Sequence, residues 1–245
     1  MHDLPDLTGA TIAFDLDGTL VDTAPDLVGT LNAVLGEGGL APLPFDAVRM
    51  MVGRGARALL ERGFAAAGRS LADEQSDRLL ARFIEMYLAR IAEESVPFPG
   101  VEAALEALSA AGARLSVCTN KPTRLSIALL EALDLSRHFD AIVGPDAAGF
   151  AKPDPRHLFV AVGESRRVIL VGDSETDIST ARNAGVPIVA VTFGYTEVPC
   201  AELNPDALID SFGELPAAVA RIIGARVGPS AARSPGTAAR RARRP

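Results

Sequence analysis

Asp15-Leu16-Asp17-Gly18-Thr19 places two carboxylates one residue apart, directly after Thr11-Ile12-Ala13-Phe14, a short run that reads as a buried strand. Side chains on an extended chain alternate faces, so Asp15 and Asp17 are expected to project together. Two acids held side by side repel unless something positive lies between them. A hard divalent cation with oxygen ligands meets that need. Three further groups have related chemistry: Thr119-Asn120-Lys121, Lys152-Pro153 and Gly172-Asp173-Ser174-Glu175-Thr176-Asp177. The four groups together offer a carboxylate nucleophile, an acid–base group, an ammonium and hydroxyl donors. Phosphoryl transfer needs this set: an in-line nucleophile, neutralised equatorial oxygens and a group to manage protons.

Such residues must be carried by strands that end at one edge. Arg114–Thr119, Ala141–Val143, Val168–Val171 and Ile188–Val191 read as further short strands, with Ala207–Ile209 as a candidate sixth at an edge. Helical patterns separate them, near Val101–Ala111, Thr123–Leu133, Pro155–Val162 and Asp177–Ala184. Strands alternating with helices predict a doubly wound, Rossmann-like α/β core with a parallel sheet covered on both faces. Between Thr23 and Glu94 the rhythm breaks into helical patterns alone: Asp26–Leu35, Phe45–Met51, Gly55–Ala67 and Asp73–Glu93. That stretch is too long for a simple connection. It predicts an inserted helical cap over 23–94 on a core of 1–22 plus 95–224, with hinges at Asp22–Pro25 and Ser95–Gly100. A cap just after the first motif suits a lid that excludes water and selects substrate.

The four motifs, in this order and at strand ends, resemble those of the haloacid dehalogenase superfamily. The resemblance covers about Thr11 to Phe212, and the helical insertion resembles the family's C1-type cap. It implies Asp15 as nucleophile, Asp17 as general acid and base, and Lys152 as the charge that steadies the transferring group. It implies phosphate contacts from the Thr119 hydroxyl, the Asn120 backbone N–H and Lys152. It implies Mg2+ held by Asp15, the Asp17 carbonyl and Asp173, with Asp177 and Ser174 supporting from behind. Taken singly, each motif has a plainer reading: a solvated turn for Asp15 and Asp17, a helix cap for Asp173, Ser174 or Asp177, a surface charge for Lys152. All of these would have to hold at once to remove the site. Asp22 reads as a hinge or helix-entry residue. Lys121, just before Pro122, reads as a rim residue.

The acid at position 17 narrows the reaction. Dehalogenases of this superfamily lack it, and the related phosphonate hydrolases typically have alanine there. The string from Asp15 to Leu27 is similar to that of bacterial phosphoglycolate phosphatases, and Met51–Leu60 resembles their substrate-facing loop. The implied reaction is hydrolysis of 2-phosphoglycolate, with a β-phosphoglucomutase-like or broad sugar-phosphate activity as the rival, and a non-catalytic phosphate-binding protein as a reading of a different class. Gly53 and Gly55 would let backbone amides approach a small ligand, the following helix N-terminus favours an anion, and Arg54 is a candidate partner for a substrate carboxylate. Arg57 reads as structural or exposed.

Net charge is −7 overall, but the segment from Ala225 holds six arginines and no acid, leaving 18 basic against 31 acidic residues elsewhere. An acidic body argues against nucleic acid as partner. The segment 225–245, poor in apolar bulk, is expected to be a disordered basic tail. Cys118 and Cys200 have no metal-ligand spacing, so no disulfide framework is expected. With no signal-like start and no apolar run of membrane-spanning length, the expectation is a cytoplasmic protein, monomer or homodimer, without membrane association. There is no Arg-His-Gly motif and no Walker-type loop, so histidine-based and P-loop phosphate chemistry have no support. Cys118 and Arg124 do have the Cys-x5-Arg spacing, but Cys118 reads as a residue packed within its strand.

Overall fold

The computed structural model of the chain describes residues 4–227. In chain order the elements are β1 (Ala10–Phe14), β2 (Val21–Asp22), α1 (Ala24–Glu37), α2 (Phe45–Arg49), α3 (Ala56–Ala66), α4 (Asp73–Ala89) and β3 (Val96–Pro97). There follow α5 (Val101–Ala110), β4 (Arg114–Cys118), α6 (Thr123–Ala132), β5 (Ala141–Val143), α7 (Pro145–Ala148) and α8 (Pro155–Val162). The chain continues through β6 (Arg167–Gly172), α9 (Glu175–Ala184), β7 (Ile188–Val191), β8 (Ala207–Ile209) and α10 (Leu215–Val227).

Six strands form one parallel sheet in the order β5-β4-β1-β6-β7-β8. The apolar runs sort by parity, as the two-residue period of a strand requires. Ile12, Phe14, Ile169, Val171, Val189 and Val191 pack with α5 and α10 on one face. Ala13, Val168, Leu170, Ile188 and Ala190 pack with α8 and α9 on the other. Both faces are covered, so β1 is buried along its whole length. The sheet is doubly wound: from β1 the chain moves outward through β4 and β5, then crosses to β6, β7 and β8 on the opposite side. An open sheet binds its ligand where the direction of winding reverses. Here that place is the C-terminal end of β1, between β4 and β6.

The segment between β1 and β4 holds α1 to α4, whose own core includes Leu31, Leu35, Leu60, Phe64 and Phe83. Leu125 and Tyr195, from the sheet side, complete that cluster. The two connectors run side by side, with Val21 opposite Pro97 and Asp22 opposite Val96 in an antiparallel pair. This two-stranded ribbon had no counterpart in the sequence pattern, because two residues are too few to show a period. Asp26, fully buried in the first turn of α1, fastens the second connector. Its carboxylate accepts from the Ser95 N–H at 2.8 Å, the Ser95 hydroxyl at 2.7 Å and the Glu94 N–H at 3.1 Å.

Helices ended within a few residues of expectation: Asp26–Leu35 extends to Ala24–Glu37, and Asp73–Glu93 stops at Ala89. The stretch expected to be a tail begins inside α10, which runs to Val227; the remainder of it lies outside the described residues. Among the described residues no helix is long and apolar enough to cross a membrane.

Candidate active site

The β1 ladder ends at Phe14, with one more backbone bond from Asp15 N–H to Val171 C=O at 2.9 Å. Asp15 and Asp17 therefore lie just past the strand, and not at alternating positions along it. The chain then turns tightly. Gly18 has φ +84°, and a Cβ there would lie 2.5 Å from Asp173 Oδ2. Only glycine both adopts that backbone and leaves the space.

Asp15, Asp17, Thr119, Asn120, Lys152, Asp173 and Asp177 all converge here, and all are buried. Lys152 Nζ stands between Asp15 Oδ1 at 2.8 Å and Asp177 Oδ1 at 2.6 Å. Asp177 has its other oxygen taken by the Ser174 hydroxyl at 2.6 Å and the Ser174 N–H at 3.2 Å. Ser174 is the N-cap of α9, and with Asp177 it forms a reciprocal capping box. The helix-cap and supporting-residue readings of these two residues thus coincide. Asp173 accepts from the Thr19 hydroxyl at 3.0 Å and from the Tyr195 N–H at 2.6 Å. The Thr119 hydroxyl accepts from the Lys121 N–H at 3.1 Å, which leaves its own proton to donate.

The Asn120 side chain does work that was expected only of its backbone. Its Oδ1 accepts from Lys152 N–H at 2.8 Å and its Nδ2 donates to Lys152 C=O at 3.2 Å. This two-way clasp fixes the peptide from which the Lys152 side chain projects. Nδ2 also reaches Gly53 C=O at 3.4 Å, joining the loop before α3 to the sheet edge. Gly55 is the N-cap of α3, with φ +88°. Arg54, between the two glycines, is exposed and lines a cleft shared with Asn120, Lys152 and Thr176. Arg57 is exposed and pairs with Asp77.

Lys121 corrects the sequence reading. It is not at the rim: only 5% exposed, it sits inside, with Nζ donating to Asp17 Oδ1 at 2.8 Å and lying 4.4 Å over the Tyr87 ring. Thr23, at the cap connector, donates its hydroxyl to the same Asp17 oxygen at 2.7 Å. Asp17 Oδ2 accepts no hydrogen bond among the described residues.

Tyr195 was missed altogether. Besides the bond to Asp173, its phenol donates to Asp22, accepts from Ala24 N–H at 3.0 Å, and its ring lies under Arg49 of α2 at 4.9 Å. It ties a candidate metal ligand to the connector between β2 and α1, where Asp22 was expected to act as a hinge. Gly194 before it is packed so closely that a Cβ would come within 2.1 Å of Asp173 Cβ. Arg49 also donates to Phe193 C=O at 3.2 Å. The sequence carried one clue: the chain has two tyrosines, Tyr87 and Tyr195, and Tyr195 follows a strand that ends at the same edge.

The electrostatics follow from burial. Burial, opposed by Lys152 and reinforced by Asp177, pushes the Asp15 carboxyl up to about 7. Burial, then Asp177 and Asp15, raises Asp173 well above the usual carboxylate range. Burial works to strip the proton from Lys152, but Asp15 and Asp177 override it and raise its pKa above that of an ordinary lysine. Four buried carboxylates, Asp15, Asp17, Asp173 and Asp177, face two ammonium groups, Lys121 and Lys152. Two negative charges are left over, and buried charges need partners. Oxygens of Asp15, Asp173 and Asp177 lie within 4.8 Å of one another. An all-oxygen donor set with an excess of two negative charges suits one Mg2+.

Comparison with known proteins agrees with this geometry. Residues 12–191 match the model of the haloacid dehalogenase-like hydrolase family. A phosphoglycolate phosphatase of Caulobacter vibrioides is 61% identical over 222 residues, covering 89% of this chain and 94% of that protein. One from Agrobacterium fabrum is 50% identical, covering 82% and 88%. Among solved structures, a predicted phosphoglycolate phosphatase from Haemophilus somnus superposes with a TM-score of 0.78 at 32% identity, covering 84% and 95%. The order of the strands, the acids at their ends and these likenesses place the chain in the haloacid dehalogenase-like hydrolase family.

Proposed function

We propose that the chain is a Mg2+-dependent phosphatase that hydrolyses 2-phosphoglycolate to glycolate and phosphate through an aspartyl-phosphate. The observation that carries this is the convergence of Asp15, Asp17, Lys152 and Asp173 at one sheet edge, each held by buried hydrogen bonds or ion pairs. The names of the relatives at 61% and 50% identity supply the substrate.

Asp15 Oδ2 accepts no hydrogen bond among the described residues, so it is the oxygen available for attack. It bonds to phosphorus as the bond from phosphorus to the glycolate oxygen breaks. Asp17, held through Oδ1 by Thr23 and Lys121, presents Oδ2 to protonate the departing alcohol. In the second half Asp17 takes a proton from water. The resulting hydroxyl oxygen bonds to phosphorus, phosphate leaves, and the Asp15 carboxylate is restored. Lys152 and the Thr119 hydroxyl neutralise and orient the phosphoryl oxygens, and the Asn120 N–H adds a further donor. The side chains of Asp15 and Asp173, with the Asp17 carbonyl that the family resemblance implies, would hold Mg2+, which supplies Lewis-acid neutralisation of the phosphoryl oxygens when bound.

The helical segment α1–α4 acts as a cap over this edge, closing the reaction off from bulk water. Arg54 stands at the mouth, where its charge draws an anionic substrate inward. The reaction is cytoplasmic, and the substrate is a small phosphorylated metabolite.

The test is phosphate release with Mg2+ across 2-phosphoglycolate, hexose phosphates, pyrophosphate and nucleotides, run on the native chain and on Asp15→Asn. The native chain is expected to favour 2-phosphoglycolate, and Asp15→Asn to fold and show no turnover. Mg2+-dependent hydrolysis by Asp15→Asn removes Asp15 as nucleophile. A preference for hexose phosphates removes the substrate assignment.

A further inference from the structure

Between the cap and the sheet edge lies a cleft of about 340 Å³, counting its open mouth. Asp17 and Lys121 form its polar floor. Its walls are apolar: Leu27, Val52, Leu59, Phe83 and Leu125. Two features there are left unexplained by the chemistry of phosphoryl transfer. Lys121 Nζ has three donors and spends one on Asp17. Tyr87, fully buried in the same wall, holds its phenol oxygen close to that ammonium but in no hydrogen bond of ordinary length among the described residues. An ammonium and a phenol buried with spare donors in an otherwise apolar cleft form a receptor for an anion.

The position of this receptor relative to the chemistry is set by Asp17. The leaving oxygen must come within hydrogen-bond reach of Asp17 Oδ2 to be protonated. Lys121 Nζ lies 2.8 Å from Asp17 Oδ1, on the same carboxylate. A group one methylene beyond the leaving oxygen can therefore reach Lys121. In 2-phosphoglycolate that group is the carboxylate.

We infer that Lys121, with the Tyr87 phenol beside it, binds the carboxylate of the substrate and sets specificity for phosphate esters of small 2-hydroxy acids. This rests on the phosphatase reading above and refines it. Arg54, exposed at the mouth, is then an attracting charge and not the carboxylate partner. The apolar walls work in the same direction. A sugar would bring several hydroxyls against Leu27, Val52, Leu59 and Phe83, where they find no partners, and each such group costs free energy. A two-carbon acid brings only the charge that Lys121 is placed to meet.

The test compares 2-phosphoglycolate with ethyl phosphate, which differs in having a methyl group for the carboxylate. Steady-state kinetics are measured for the native chain, Lys121→Met and Arg54→Ala at about 0.15 M salt, where exposed charges are largely screened. The native chain is expected to prefer 2-phosphoglycolate. Lys121→Met removes the partner of Asp17 for both substrates. It should lose at least about tenfold more in kcat/KM on 2-phosphoglycolate than on ethyl phosphate, because only the first also loses the partner of its buried carboxylate. Arg54→Ala should keep the preference. An equal loss on both substrates in Lys121→Met overturns the inference, since Lys121 then acts only through Asp17. Collapse of the preference in Arg54→Ala instead assigns the carboxylate to Arg54 and also overturns it. A native chain with no preference for 2-phosphoglycolate overturns the phosphoglycolate reading itself, and is seen before any variant is made. Thermal unfolding checks each protein. If Lys121→Met does not fold, Lys121→Arg keeps the charge but moves it, and should raise KM for 2-phosphoglycolate more than for ethyl phosphate; an equal change refutes the assignment.

Discussion

Replacing Asn120 by alanine isolates the clasp that holds Lys152. The variant loses the bonds at 2.8 and 3.2 Å to the two sides of the Lys152 peptide. Lys152 is 4% exposed, so its freed N–H lies in a buried setting. An orphaned buried donor costs about 1–3 kcal/mol, and the second bond adds about 1 kcal/mol, for a loss of about 2–4 kcal/mol. In a domain of this size that lowers Tm by about 4–16 °C. The effect on catalysis is separate. With its peptide released, the Lys152 ammonium no longer holds its 2.8 Å place beside Asp15. A displacement of about 1 Å at a reacting centre costs about 100-fold. The assay is thermal unfolding followed by circular dichroism, with steady-state phosphate release at 25 °C, where the variant is still folded. A fall in kcat with little change in KM is expected, because Lys152 acts on the transferring group more than on binding. Asn120→Asp keeps the acceptor but sets a carboxylate oxygen against Lys152 C=O, so it should be at least as impaired. A lowered Tm with kcat within threefold of native would refute the positioning role and leave Asn120 a purely structural residue.

Other perturbations test other parts of the argument. Asp26→Ala orphans the buried N–H and hydroxyl of Ser95 and should destabilise the fold by about 2–5 kcal/mol in urea unfolding; a change below about 0.5 kcal/mol, typical of an exposed site, would contradict the connector clamp. Mg2+ at about 100 times its Kd should stabilise the protein by about 2.7 kcal/mol, reversibly with a chelator. At one fixed Mg2+ concentration the increment should grow between about pH 5.5 and pH 8, because protons on Asp15, whose pKa is raised to about 7, and on Asp173, also raised, compete with the cation and weaken its Kd at low pH. The sign follows: without the cation, an acid whose folded pKa is raised loses stability as pH climbs from its unfolded value to its folded one. A pH-independent increment counts against these acids as ligands. Gly194→Ala forces a Cβ into Asp173 and should cut activity about 100-fold or more by displacing it; full activity in a folded variant would show that the loop yields without moving the ligand.

The residues proposed to react could be picked out in the sequence because phosphoryl transfer restricts both their types and their order. Asp15, Asp17 and Asp173 are each identifiable beside a short apolar run, and such a run is a local signal; Lys152 lies nine residues past β5 and was marked by its place in the order of motifs. Ala207–Ile209 was legible as an edge strand for the same reason. The residues that position them were not legible. Lys121 stands before a proline that opens a helix, a context usually solvated, and its burial is caused by Tyr87 and Asp17, both distant in sequence. Asp26 looked like an ordinary first-turn acid, and its partner Ser95 arrives only when the second connector folds alongside. Tyr195 gains its role from three contacts with three separate segments. Properties created by tertiary packing leave no period or spacing to read.

The place of β1 in the sheet bears on how the enzyme comes into being. It precedes its partners by a long stretch of sequence: its neighbours are Arg114–Val117 on one side and Arg167–Val171 on the other. A fully buried, mostly apolar strand must therefore wait for partners about a hundred residues or more downstream, a high contact order that slows folding and exposes an adhesive edge meanwhile. The α1–α4 segment emerges during that wait with a hydrophobic cluster largely its own. No newborn chain that stops short of Asp177 can assemble the charge pairs around Lys152, so Asp15 is translated long before its electrostatic surroundings are complete.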